Sequence, residues 1–160
     1  MEEDIEDSEV LKLFHTEMMG SVESGKKGFD IVISDMRRMF HFDVIAILEP
    51  RISGSRACKI AGKLGFTDKY LVDAFGFSRG IWLLWNSRNV NIQVVASSKH
   101  TITAMVAKGS KVWVLTIVYA NPSAAVRRSL WSYLSAIRNC FKGPWVVMGD
   151  FNEIVNGSEK

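Results

Sequence analysis

The chain has 160 residues, 48% of them hydrophobic and 23% charged, enough for one globular core and too apolar for a disordered tail. No apolar run reaches the ~18 residues of a membrane-spanning helix, and the acidic start MEEDIEDSEV lacks the basic flank of a secretory signal, so an intracellular protein, nuclear or cytoplasmic, with no membrane partner is expected. The net charge of +3 hides an asymmetry: residues 1–29 carry 8 acids against 3 lysines and arginines, residues 51–160 carry 15 lysines and arginines against 5 acids. A surface of the second kind attracts polyanions, nucleic acid first, although lysines kept for solubility give the same count.

In chain order, residues 8–19 (SEVLKLFHTEMM) have the spacing of a short amphipathic helix, and 20–28 (GSVESGKKG) have linker composition. Residues 1–28 therefore read as an acidic N-terminal extension, helical or disordered, set apart from a domain over 29–160. FDIVISDMRRMFHF has apolar residues at helical spacing (Ile33, Met36, Phe40), and VIAILE, introduced by Asp43, reads as a short buried strand. SRACKIAGKLG predicts a helix with Ser55 at its start and Gly65 at its end. Cys58 and Cys140 fall in helical segments without metal-ligand spacing and are expected to be buried thiols.

The pattern then changes to strands: KYLVDAF, GIWLLWN, VNIQVVAS, TITAMVAK and KVWVLTIVYA, an antiparallel meander whose last two members are joined by a Gly109-Ser110 hairpin turn. SAAVRRSLWSYLSAIRNCF returns to helical period, with Leu130, Leu134, Ile137 and Phe141 on one face and Arg127, Arg128 and Arg138 elsewhere, before the closing strand PWVVMG. Mixed sheets covered by helices, an α/β sandwich, are the expected fold.

Two of these strands end in acids, DVIAILE at Glu49 and WVVMGD at Asp150. If they share a sheet, both acids emerge at one end, where like charges repel unless a cation joins them or one stays protonated. Mg²⁺ suits such a place, taking few carboxylates and filling its shell with water and phosphate oxygens. Each acid taken alone also suits a plain loop-capping role. In GDFN, residues two apart project to one face, so Asp150 and Asn152 can border a pocket while Phe151 turns inward, and an Asx-type turn is the simpler use of the same pair. Tyr119, ending a third strand, could donate to a phosphate or merely pack. His15, His41 and His100 each sit where a structural role is expected.

Four segments in order, AILEPRISG, GFSRGIWLLWN, LTIVYANPSAAVRRSLW and GPWVVMGDFNEI, resemble the endonuclease/exonuclease/phosphatase superfamily that includes deoxyribonuclease I, and more narrowly the endonuclease domain of plant non-LTR (LINE-type) retrotransposons. The resemblance runs from about Phe29 to Lys160. It implies a Mg²⁺- or Mn²⁺-dependent DNA phosphodiesterase in which Glu49 is the metal ligand, Tyr119 contacts phosphate, Asp150 orients or activates the attacking water and Asn152 donates to the phosphate.

Two departures accompany the resemblance. The family's first strand, with its asparagine near the metal, has no counterpart upstream, and the chain stops before the place of a further aspartate and a serine-aspartate-histidine motif. A domain truncated at both ends follows, with an incomplete second sheet, weak or no activity alone, and self-association through an uncovered apolar sheet face. A non-catalytic nucleic-acid-binding module, a non-functional relic and, lower in rank, a phosphatase of the same superfamily remain as alternatives.

Overall fold

The protein is described by a computed structural model covering residues 11–15, 28–76 and 78–152. Its elements are β1 (Leu11–His15), α1 (Phe29–Phe40), β2 (Val44–Leu48), α2 (Gly54–Ala61), β3 (Asp68–Val72), β4 (Ile81–Trp85), β5 (Asn91–Ser97), β6 (Thr101–Lys108), β7 (Lys111–Tyr119), α3 (Ala124–Cys140) and β8 (Trp145–Asp150). They form two four-stranded sheets, ordered β1-β2-β4-β3 and β5-β6-β7-β8. β1 runs parallel to β2 and β8 parallel to β7, while the other neighbours are antiparallel.

The apolar runs decode by strand parity. Val44, Ala46 and Leu48 of β2 and Ile81, Leu83 and Trp85 of β4 join Ile102, Ala104, Val106, Leu115, Ile117 and Tyr119 of the second sheet in one buried cluster. The alternate residues Ile45, Ile47, Trp82 and Leu84 pack instead with Phe29, Ile33, Ala57 and Ala61 of α1 and α2. Both faces of the first sheet are thus covered, and for that reason VIAIL and IWLLW show no polar alternation. On the outer face of the second sheet, Leu130 and Leu134 of α3 meet Val118 and Ala120. A hydroxyl chain runs beneath this helix: Tyr133 Oη lies 2.6 Å from Thr103 Oγ1, which lies 3.1 Å from Thr116 Oγ1, and Trp145 Nε1 donates to Thr116 at 3.0 Å. Buried hydroxyls so paired avoid the cost of unsatisfied polar groups. The layers are helix, sheet, sheet, helix: the α/β sandwich.

Several expectations are corrected. Leu11–His15 is a strand, not part of a helix, and pairs His15 with Leu48. A strand therefore does precede α1, although the sequence contains no asparagine before Asn86. The remainder of residues 1–28, apart from Gly28, lies outside the described residues. The five central strands are not one meander: β3 and β4 form an antiparallel pair in the first sheet, the chain crosses over at residues 86–90, and β5, β6 and β7 form a separate antiparallel run in the second. The β6–β7 hairpin has the expected two-residue turn, Lys108 pairing with Lys111 and Gly109 adopting φ 58°. α2 starts at Gly54 with Ser53 as its cap and ends at Ala61, and both cysteines are free and exposed.

Candidate metal and phosphate site

Strand parity would send Glu49, next after Leu48, to the helix side with Ile45 and Ile47. Its φ of 56° ends the alternation, and the carboxylate lies instead against Tyr119 of the facing sheet, only 4% exposed. Tyr119 donates its hydroxyl to Glu49 Oε1. Arg51 Nη2 and Arg79 Nη1 each donate to Glu49 Oε2 at 2.9 Å. Charge-assisted hydrogen bonds of this kind replace the water that a buried carboxylate loses. Burial first, then the hydrogen bond to Glu49 and its negative charge, push the Tyr119 phenol well above its usual value, so it stays protonated through the physiological range.

Tyr119 and Asp150 are register partners at the ends of parallel β7 and β8, and Ala120 N donates to Asp150 O at 2.8 Å just beyond. Asp150 therefore stands beside Tyr119 on the face turned toward the first sheet. Its Oδ1 accepts from Asn152 N at 2.8 Å, the Asx-type turn, and Asn152 Nδ2 donates to Ala120 O at 2.6 Å. Asn152 adopts φ 48°; with Glu49 and Arg51 (φ 55°) it makes three of the four non-glycine residues with positive φ among the described residues. Left-handed backbone at non-glycine residues is costly and concentrates where geometry is dictated by function. Phe151 turns the other way and stacks on Trp131 of α3, with ring centroids 5.7 Å apart.

Glu49 and Asp150 do not share a sheet, as the sequence suggested they might; they end strands of opposite sheets and are brought to one rim by the sandwich, with Tyr119 between them. A cavity of about 600 Å³ opens there, lined by Glu49, Arg79, Tyr119, Asn121, Ser123 and Asn152 among others. His41 and His100 stand elsewhere. His41 caps α1, His15 is in β1, and His100 bonds through Nδ1 to the Tyr119 carbonyl at 3.0 Å and lines a smaller cavity of about 220 Å³ against α3. Burial, the main effect, and nearby Lys99 hold the His100 imidazole below its usual value despite the carbonyl bond.

The sequence profile of the Endonuclease/Exonuclease/phosphatase family matches residues 23–159. The chain belongs to this family. Solved structures with the same fold include D. rerio TDP2 complexed with a single-strand DNA product (9% identity, TM-score 0.63, covering 90% of this chain and 60% of that one). The endonuclease domain of TRAS1, a telomere-specific non-LTR retrotransposon, also matches (9% identity, TM-score 0.58, covering 89% and 58%). A functionally unknown protein from Enterococcus faecalis V583 matches with 11% identity and TM-score 0.61, covering 89% and 66%. The chain thus spans about three fifths to two thirds of the length of these structures. No curated protein matches it in sequence. No helix among the described residues is long and apolar enough to cross a membrane.

Family membership raises the question of a divalent cation. Among the described residues no three His, Cys, Asp or Glu side chains are grouped to cage one. Glu49 offers a hard oxygen ligand, the donor type that Mg²⁺ or Mn²⁺ takes when water and substrate phosphate complete the shell. The residues fit that minimal kind of site. Three contributors escaped the sequence: Arg51 and Arg79 on Glu49, and Arg127, which is 9% exposed and donates from Nη1 to the carbonyls of Asn121 (3.2 Å) and Pro122 (2.5 Å), tying α3 to the loop after Tyr119. Arginine in a loop or an amphipathic helix reads as solvated charge, and only spatial neighbours reveal otherwise.

Proposed function

We propose that the chain carries a phosphodiesterase site of the DNA-endonuclease kind, dependent on Mg²⁺ or Mn²⁺ and of retrotransposon descent, and that by itself it turns over slowly or not at all. The supporting observation is the convergence of a buried carboxylate, a protonated phenol and the Asn152 amide from two sheets on one open cavity, with Asp150 the register partner of Tyr119 and hydrogen-bonded to Asn152 N. Bound at Glu49, the cation would offset negative charge developing on the phosphoryl group. Tyr119, kept protonated, is a donor for a phosphate oxygen, and the Asn152 amide carries a second N–H beside the one given to Ala120. Asp150 holds the attacking water and takes its proton as the new P–O bond forms in line with the ester P–O bond that breaks.

Slow turnover has a physical cause. Among the described residues that line the cavity none is a histidine, and losing one group aimed at transition-state charge costs about 10² to 10³ in rate. A second reading, DNA binding without cleavage, is favoured by the guanidiniums that already neutralise Glu49. Self-association belongs to the same proposal. Val146 lies on the inward face of β8 with Met148, yet is 44% exposed, and β8 is the last strand of its sheet among the described residues.

Supercoiled plasmid and labelled duplex, with and without Mg²⁺, test this. Retention that weakens with salt, with little or no nicking, any of it abolished by Asp150→Ala and by chelator, is the expected result. Absence of retention even at low salt, or nicking unchanged in Asp150→Ala, would overturn it.

A further inference from the structure

The two arginines on Glu49 are placed there by backbone. Antiparallel pairing of β2 with β4 continues past the strand ends: Leu48 faces Ile81, Glu49 N donates to Gly80 O at 3.2 Å, and Arg51 N donates to Arg79 O at 2.9 Å. Arg51 reaches this position in a left-handed conformation. Both guanidiniums converge on the same oxygen, Glu49 Oε2, at 2.9 Å. The carboxylate is 4% exposed and each arginine side chain 44%, so the guanidiniums are a layer between the acid and solvent. Arg79 also lines the cavity with Tyr119 and Asn152, where a phosphate is to be received.

We infer that Arg51 and Arg79 form a phosphate-released latch on Glu49, so that a divalent cation and a phosphodiester bind the site cooperatively and the cation alone binds poorly. This rests on the proposed role of Glu49 as cation anchor. A cation approaching Glu49 without substrate meets two positive charges within hydrogen-bond reach of the same oxygen, and must displace them. A phosphodiester in the cavity offers those guanidiniums a second anion whose paired oxygens suit their planar fork, and Glu49 Oε2 is then given up. The arginines thereby link cation occupancy to the presence of phosphate, and reciprocally.

Mn²⁺ titration of the full chain by electron paramagnetic resonance, with and without a short thymidine oligonucleotide, reads this directly and needs no turnover. Wild type should bind Mn²⁺ more tightly when the oligonucleotide is present. Without it, Arg51→Gln and Arg79→Gln should each tighten Mn²⁺ binding about five- to tenfold and shrink the oligonucleotide's effect. Arg79→Lys, which keeps the charge but loses the fork, should give a smaller gain, and it supplies the comparison should circular dichroism show that a glutamine variant fails to fold. Arg128→Gln, on the exposed side of α3, removes equal net charge and should change nothing. Unchanged or weaker binding in the arginine variants, or an equal gain in Arg128→Gln, overturns the latch while leaving the anchor standing if Glu49→Gln abolishes binding. Mn²⁺ bound by none of the proteins, or bound equally by Glu49→Gln, removes the anchor and the latch together.

Discussion

At Gly149 the backbone admits no other residue. Its φ is 147°, and an added Cβ would lie 1.9 Å from Val118 O and 2.7 Å from Val118 C across the β7–β8 pair. The residue fixes the approach of β8 immediately before Asp150, so the position of the acid depends on it. Gly149→Ala should lose at least about 3 kcal/mol of stability, a combination of backbone strain and displacement of the strand, measured as a lower urea midpoint. An unchanged midpoint would show that the strand end is free to move. At this scale the sequence was informative wherever a polar residue follows an apolar strand: Glu49, Tyr119 and Asp150 stand out against the runs they terminate. It was silent on the conformation of Glu49, since a glutamate with φ 56° looks like any other glutamate.

Among the elements, the two sheets are tied at opposite rims by different chemistry. Tyr119 and Glu49 join them at the site; at the other end Asp43, just before β2, accepts from Lys108 Nζ of β6 at 3.0 Å and from Asn89 Nδ2 at 2.7 Å. Burial alone would raise the Asp43 carboxyl, but the Asn89 and Lys108 hydrogen bonds and the positive charges of Lys108 and Arg37 outweigh it and hold it below the usual 3.8. A depressed folded-state value means stability that is present above that pH and lost as pH falls through the lowered value. Asp43→Asn should therefore lower stability near neutrality and show a flatter loss below about pH 4 than wild type in acid titrations of the melting temperature. Parallel acid profiles would remove this carboxylate from the acid sensitivity.

Helices α1 and α3 and strands β2, β4, β6, β7 and β8 were legible because their hydrophobic periods are unambiguous. β1 was not: LKLFH offers apolar residues that suit a helix as well as a strand, and its pairing with β2 is a contact with residues thirty-three positions away. The supposed meander failed for a related reason. Local pattern shows that IWLLW and NIQVVAS are strands and that a turn separates them, but whether a turn returns to the same sheet or crosses to another is decided by what the sheets must bury.

For the whole molecule, the sandwich leaves one apolar feature open at β8. If Val146 mediates association as proposed, the sedimentation mass should rise above the 18.0 kDa of a monomer as concentration increases, and Val146→Lys should restore the monomer value. A wild-type mass constant at 18.0 kDa over the range would sink that proposal.

Periodicity and composition by themselves determined the α/β class, most strand and helix positions, and the polar residues that end the buried strands, because each follows from local alternation between burial and exposure. Only tertiary structure decided that Glu49 and Asp150 end strands of different sheets, that Tyr119 spans them, and that Arg51 and Arg79 cover the acid. Those relations depend on two sheets packing face to face, a long-range event driven by apolar burial that no short window of sequence encodes.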